Sequence, residues 1–256
     1  MSSPAPDQLS PGNGFRIAVV SLPEEREAVL SLLKQSLGMN AVDAKIRIQQ
    51  VPTVWPEQHS AEQAEAAAVQ LRALGAVARA VPVAEIRQLN GQTLHHVRCL
   101  PDGFVVVSLT GEAASPIPWQ KLKLISVAEV GGLQHKTTGA FPDTTFRRQP
   151  MHAMPTASKS TEFGLEFWLL FAEPAALYRI DANLMNYEYL GERLKSSTPL
   201  NAKALFQDLV HFAPHAMLTP TAGKFADEKL RQTDRVASTH THHDIVLARG
   251  LCHSGE

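Results

Sequence analysis

Cysteine is nearly missing from this chain of 256 residues: Cys99 and Cys252 are the two it has, far apart and without CxxC spacing. That excludes a disulfide-stapled mini-protein and a centre built on cysteine ligands, and both residues read as reduced structural thiols. An excess of one charge is missing as well, with 24 Lys+Arg against 25 Asp+Glu and a net charge of -1. No bulk field exists to hold a polyanion, so neither general nucleic-acid binding nor attraction to an anionic membrane is expected. Long apolar runs are absent too. The longest, Phe167–Ala172, falls far short of the ~20 residues that span a bilayer. The opening MSSPAPDQLSPGNG has neither the basic start nor the apolar core of a secretion signal, and reads as a disordered leader over residues 1–13. A cytoplasmic location is expected by elimination.

Catalytic motifs are equally scarce. The sequence has no GxSxG elbow and no HExxH helix, which excludes the commonest hydrolase and metalloprotease signatures. The nearest approach to a phosphate loop, GGLQHKT at 131–137, has His135 where glycine must precede Lys136, so its backbone cannot cradle a phosphate. No cofactor is implied.

What is present is a well-punctuated first third. Phe15–Leu22 is apolar and β-branched between Gly14 and Pro23, as a buried strand should be. Ser21 and Glu24 have capping-box spacing before a helix carrying Val29, Leu30, Leu33 and Leu37, which Gly38 ends. Asn40 caps a second helix that stops at Pro52, and Thr53–Trp55 is an edge strand or extended link. Ser60 and Gln63 form another capping box, after which Ala64, Ala67, Ala68, Leu71 and Leu74 share one helical face, a sector about 120° wide. Gly75 closes that helix, and residues 76–81 form a strand ended by Pro82.

In this order of elements, residues 14–83 resemble the C-terminal domain of the bacterial ribosomal large-subunit stalk protein. The likeness is carried by Gly38, Ala44-Lys45, Val51-Pro52, Ser60, Ala64-Glu65 and the closing LRALGAVARAV. The resemblance implies a β-α-α-β-α-β domain that recruits other proteins, with Lys45 matching a lysine that contacts translation factors and Val42 standing where another such lysine falls. Seven basic residues balance seven acidic ones between 15 and 83, so a general adaptor is expected ahead of a ribosome-associated, factor-binding protein. Its unidentified protein partner would meet Lys45, the edge residue Trp55, and Glu62, Glu65 and Arg72 on the outer side of the 61–74 helix.

Beyond a linker at 84–91 the pattern becomes strand-like. Pro101-Asp102-Gly103 turns a hairpin, an IPW-initiated strand spans 117–130, and 131–162 reads as a loop insertion rich in Pro, Ser and Thr. Strands follow near 165–171 and 177–180, and Thr198-Pro199 opens an amphipathic helix that Pro214 stops. The expected class is α+β: a stalk-like domain, then a mostly antiparallel β domain over 92–235 whose element order is similar to pleckstrin-homology-like barrels, then a His-rich tail over 236–256.

Histidine is the one residue in excess, with 11 copies. His240, His242 and His243 cluster in the tail, and His211 and His215 are four apart across Pro214. Imidazoles at these spacings offer an alternative reading, a metal-dependent enzyme or metal sensor, against the plainer one of a solvated tail and a helix-end histidine.

Overall fold

The computed structural model describes residues 14–131 and 163–253. The expected leader, and all of the 131–162 insertion except Gly131, lie outside the described residues. The fold is α+β.

The first unit runs β1 (Phe15–Ser21), α1 (Arg26–Ser36), α2 (Ala41–Gln49), β2 (Thr53–Val54), α3 (Ala61–Ala73) and β3 (Val77–Pro82). Its three strands form an antiparallel sheet in the order β2-β1-β3. Local signals place most of these boundaries. Asn40 caps α2 by accepting from the backbone N–H groups of Val42 and Asp43, and Ser60 and Gln63 make the reciprocal capping box of α3. Gly38 and Gly75 adopt φ of 64° and 93° where α1 and α3 end, a conformation open to glycine at no steric cost. The Ser21 capping box does not form. Ser21 is still paired with Val77 in the sheet, and α1 starts later, behind Glu25, with no side-chain cap.

The expected linker is instead mostly α4 (Val83–Gln88), which buries Val83 and, just past its end, Leu89. Then come β4 (Gln92–Leu94), the hairpin β5 (Val97–Leu100) and β6 (Gly103–Val106), β7 (Leu122–Gly131), β8 (Phe163–Phe171) and β9 (Ala176–Asp181). They are followed by α5 (Thr198–Phe212), β10 (Met217–Leu218), α6 (Pro220–Ala226) and α7 (Thr239–His253). The IPW segment does not begin a strand. Trp119–Lys121 makes a single 3₁₀ turn in which the Trp119 indole donates to the Leu100 carbonyl at 2.7 Å, and β7 starts after it.

The larger sheet has the order β10-β7-β8-β9-β4 and is mixed. β7, β8 and β9 are antiparallel, while the short edges β10 and β4 run parallel to their neighbours. It is an open sheet and not a barrel. Alternation along β8 divides its faces. Phe167, Leu169 and Phe171 face a core shared with the hairpin, α5 and α6, whereas Glu166, Trp168 and Leu170 face the other way, toward α7.

The stretch expected to be a His-rich tail is α7, a 15-residue helix packed between the two sheets. Val246, Leu247 and Leu251 share one apolar cluster with Ala18 and Val81 of the small sheet and with Leu124, Leu170 and Leu177 of the large one. The approach is close. A Cβ placed on Gly250 would fall 2.2 Å from Leu170 Cδ2. Arg79 of β3 also donates to the Leu251 carbonyl at 2.6 Å. The two units are therefore joined through a common core layer.

Leu247→Ala should cost about 2–5 kcal/mol, the range for truncating a buried leucine. Urea unfolding followed by tryptophan fluorescence and by far-UV circular dichroism should give coincident single transitions shifted together. Two separated transitions would contradict a shared core.

Candidate functional site

Of the surface residues the sequence proposes, Lys45 is exposed on α2, and Glu62, Glu65 and Arg72 are exposed on α3. Arg72 bonds Glu65 at 2.8 Å and the Ala78 carbonyl at 3.0 Å. Glu62 and Glu65 border a shallow depression completed by Ala61, Ala66, Val69 and Gln70. Trp55 is not at a surface. Its side chain is 1% exposed within the core between the small sheet and α1–α3, and its indole N–H points at the Arg47 carbonyl, 3.4 Å away. The backbone here forms the edge of the sheet, but the residue after Val54 turns its ring inward under the helices, where burying an indole is strongly favourable.

The histidines separate into distinct roles. His211, in the last turn of α5, stacks edge-on against Phe212, and His215 is exposed beyond Pro214. His242 is 1% exposed and turned into the protein, while His240, His243 and Asp244 lie together on another part of α7.

The inward side of α7 meets a buried polar network that sequence reasoning misses. Glu166, at mid-strand in β8 and with no exposed surface, receives four donors. Its Oε1 accepts from Trp168 Nε1 at 2.6 Å and lies 3.0 Å from His242 Nδ1. Its Oε2 accepts from Arg179 Nε at 2.6 Å and from the Thr239 hydroxyl at 3.0 Å. His242 Nε2 in turn lies 2.8 Å from Ser126 Oγ, which is 3.1 Å from Thr219 Oγ1. Every group is satisfied when His242 Nδ1 donates to Glu166, Nε2 accepts the Ser126 hydroxyl proton and Thr219 donates to Ser126. A lone glutamate inside the apolar run LEFWLLF was the available signal, since a carboxylate there must find partners or lose its charge.

Serine, histidine and glutamate in this order have the connectivity of a nucleophilic triad. The burial decides against that chemistry. Ser126 is 0% exposed, and its hydroxyl is held between His242 and Thr219, so a substrate carbonyl has no approach to it. Burial pushes the Cys99 thiol up to about 12 and the Cys252 thiol up to about 11, the direction that disfavours the reactive thiolate. The network therefore reads as a structural lock joining β7, β8, β9 and α7. A second concavity, of about 490 Å³, opens between the start of α5 and α6, where Leu200, Lys203, Phe225 and Glu228 line it.

Comparison with known protein families, curated proteins and solved structures finds no match to this chain.

Burial alone would raise the Glu166 pKa, but the hydrogen bonds from His242 and Arg179 and the charge of Arg179 outweigh it and hold the carboxyl below its ordinary value of 4.5. A depressed folded-state pKa contributes stability that is complete above the unfolded value and is lost as pH falls below about 4.5 through the folded one. Denaturant titrations should show that wild type loses stability below that pH more steeply than Glu166→Gln. Glu166→Ala, which leaves Arg179 without its anion, should cost about 3–5 kcal/mol at neutral pH. Equal acid slopes in wild type and Glu166→Gln would contradict this role.

Proposed function

We propose that this chain is a non-catalytic adaptor that binds a protein segment through the outer face of α3. The observation that carries the reading is Val69, which is 49% exposed and lines the α3 depression together with Glu62 and Glu65. A β-branched residue in a helix interior gives up rotamer freedom relative to alanine and is normally compensated by packing. Among the described residues Val69 receives little such packing. The resemblance of residues 14–83 to a partner-recruiting domain points the same way.

The chemistry of the face defines the partner. Apolar Ala66 and Val69 lie beside two carboxylates, which suits an amphipathic helix carrying lysine or arginine next to its apolar stripe. Glu65 is engaged by Arg72, but both side chains are about half exposed, and such a pair is worth only ~0–1 kcal/mol. An incoming cation can take the place of Arg72 at little cost. Exposed Val42 and Ile46, one turn apart on α2 beside Lys45, offer a second apolar strip of the same kind.

A displayed peptide library selected on the full chain tests the reading. Basic amphipathic helical sequences should be enriched, and Val69→Asp or Glu62→Lys should each weaken their capture at least about tenfold, the loss expected for a central apolar anchor or an opposed charge. Far-UV circular dichroism should be unchanged, because both positions are exposed. No enrichment, or binders indifferent to both substitutions, would overturn it.

A further inference from the structure

We infer that His240, His243 and Asp244, in the first two turns of α7, form a site for one borderline divalent cation, with zinc as the type ion. Positions i, i+3 and i+4 of a helix share one face, and one ligating atom from each of these three residues lies within 4.8 Å of the others. The two carboxylate oxygens divide the work. Asp244 Oδ2 is 3.6 Å from His240 Nε2, and Oδ1 is 3.6 Å from His243 Nδ1. A cation bound at the usual ~2.0–2.2 Å from each donor requires donor separations of roughly 3.0–3.5 Å. From the 4.8 Å within which the three ligating atoms lie, the site closes by up to about 1.8 Å on binding, a movement that rotation of the exposed His240 side chain supplies.

A second contact orients one of the ligands. His243 Nε2 lies 3.4 Å from the Leu89 carbonyl, and a carbonyl can only accept, so Nε2 carries a proton and Nδ1, which faces Asp244, is the nitrogen a cation would take. This is the outer hydrogen bond that fixes tautomer and ring plane in metal-bound histidines. The ring is further held by Trp168, whose centroid is 5.0 Å away. His240 is the exposed member, with 84% of its side chain open to solvent, so its side chain has room to turn onto a cation held by the other two. His242 takes no part, since Glu166 and Ser126 engage both of its nitrogens.

Two imidazoles and one carboxylate suit zinc, nickel, copper(II) or iron(II) and disfavour magnesium and calcium, which take oxygen ligands. Three protein ligands leave at least one position to water, the pattern of an exchangeable centre and not of a closed structural one. The partial positive charge at the start of α7 opposes a cation, and the Asp244 carboxylate offsets it. The site is independent of the α3 face, which belongs to the other side of the small sheet.

The test is calorimetric titration of the untagged full chain with zinc chloride. One zinc per chain should bind, and His240→Ala, His243→Ala and Asp244→Asn should each weaken it at least about tenfold. His211→Ala and His215→Ala should leave it unchanged. Copper(II) should quench part of the tryptophan emission through Trp168, and His243→Ala should abolish that quenching. Because His240 is exposed, His240→Ala keeps the fold and remains informative even if the other variants unfold. No saturable binding, or one-to-one binding that His240→Ala and Asp244→Asn leave unmoved, would overturn the proposal.

Discussion

A single buried carboxylate sets the terms for the architecture. An ionised glutamate in the middle of a sheet is tolerable only when its lone pairs are filled, because desolvating the charge without compensation costs several kcal/mol. Glu166 fills them from four directions: its own strand through Trp168, the next strand through Arg179, and α7 through Thr239 and His242. Three of those donors come from outside β8, so satisfying the charge requires α7 to be seated against the sheet in one register. Leucines alone would accept a helix in several.

The consequence is a layered molecule in which α7 is a middle layer. It buries Val246, Leu247, Ala248, Gly250 and Leu251, a set that no single stripe can contain, because one side meets the small sheet and the other the large one. Gly250 gives the close approach to Leu170, and Arg79 ties the helix end to β3. The lock thus reaches both units, while α3, on the far side of the small sheet, keeps an outer face free of it. Binding there and anchoring at α7 are separate tasks of one scaffold.

Legibility in the sequence followed the range of the interactions. Asn40, the Ser60–Gln63 box, the turn at Pro101–Gly103 and the Thr198-Pro199 start of α5 are decided within a few residues, and each was readable. Ser21 misled because the same residue could cap a helix or extend a strand, and long-range pairing with Val77 won. Trp55 misled because its strand is at an edge while its side chain is not. The edges β4 and β10 span three and two residues and pair with strands far away in sequence, so no local pattern announces them. α7 was the largest miss. Its start is polar and histidine-rich, and its buried apolar residues spread wider than a single stripe because it meets a sheet on each of two sides. Of the candidate metal ligands, the sequence offered His240, His242 and His243 together; only the fold separates the buried His242 from the other two and brings in Asp244.

The account turns on α7 as the element that completes both sheets. Hydrogen–deuterium exchange on a chain ending at residue 238 tests this most directly, with a synthetic peptide of residues 239–253 added back. The account predicts that removing α7 deprotects the amides of β1 and β3 together with those of β7 and β8, and that the peptide restores both sets in parallel. Wild-type protection of β1 and β3 in the shortened chain would contradict it.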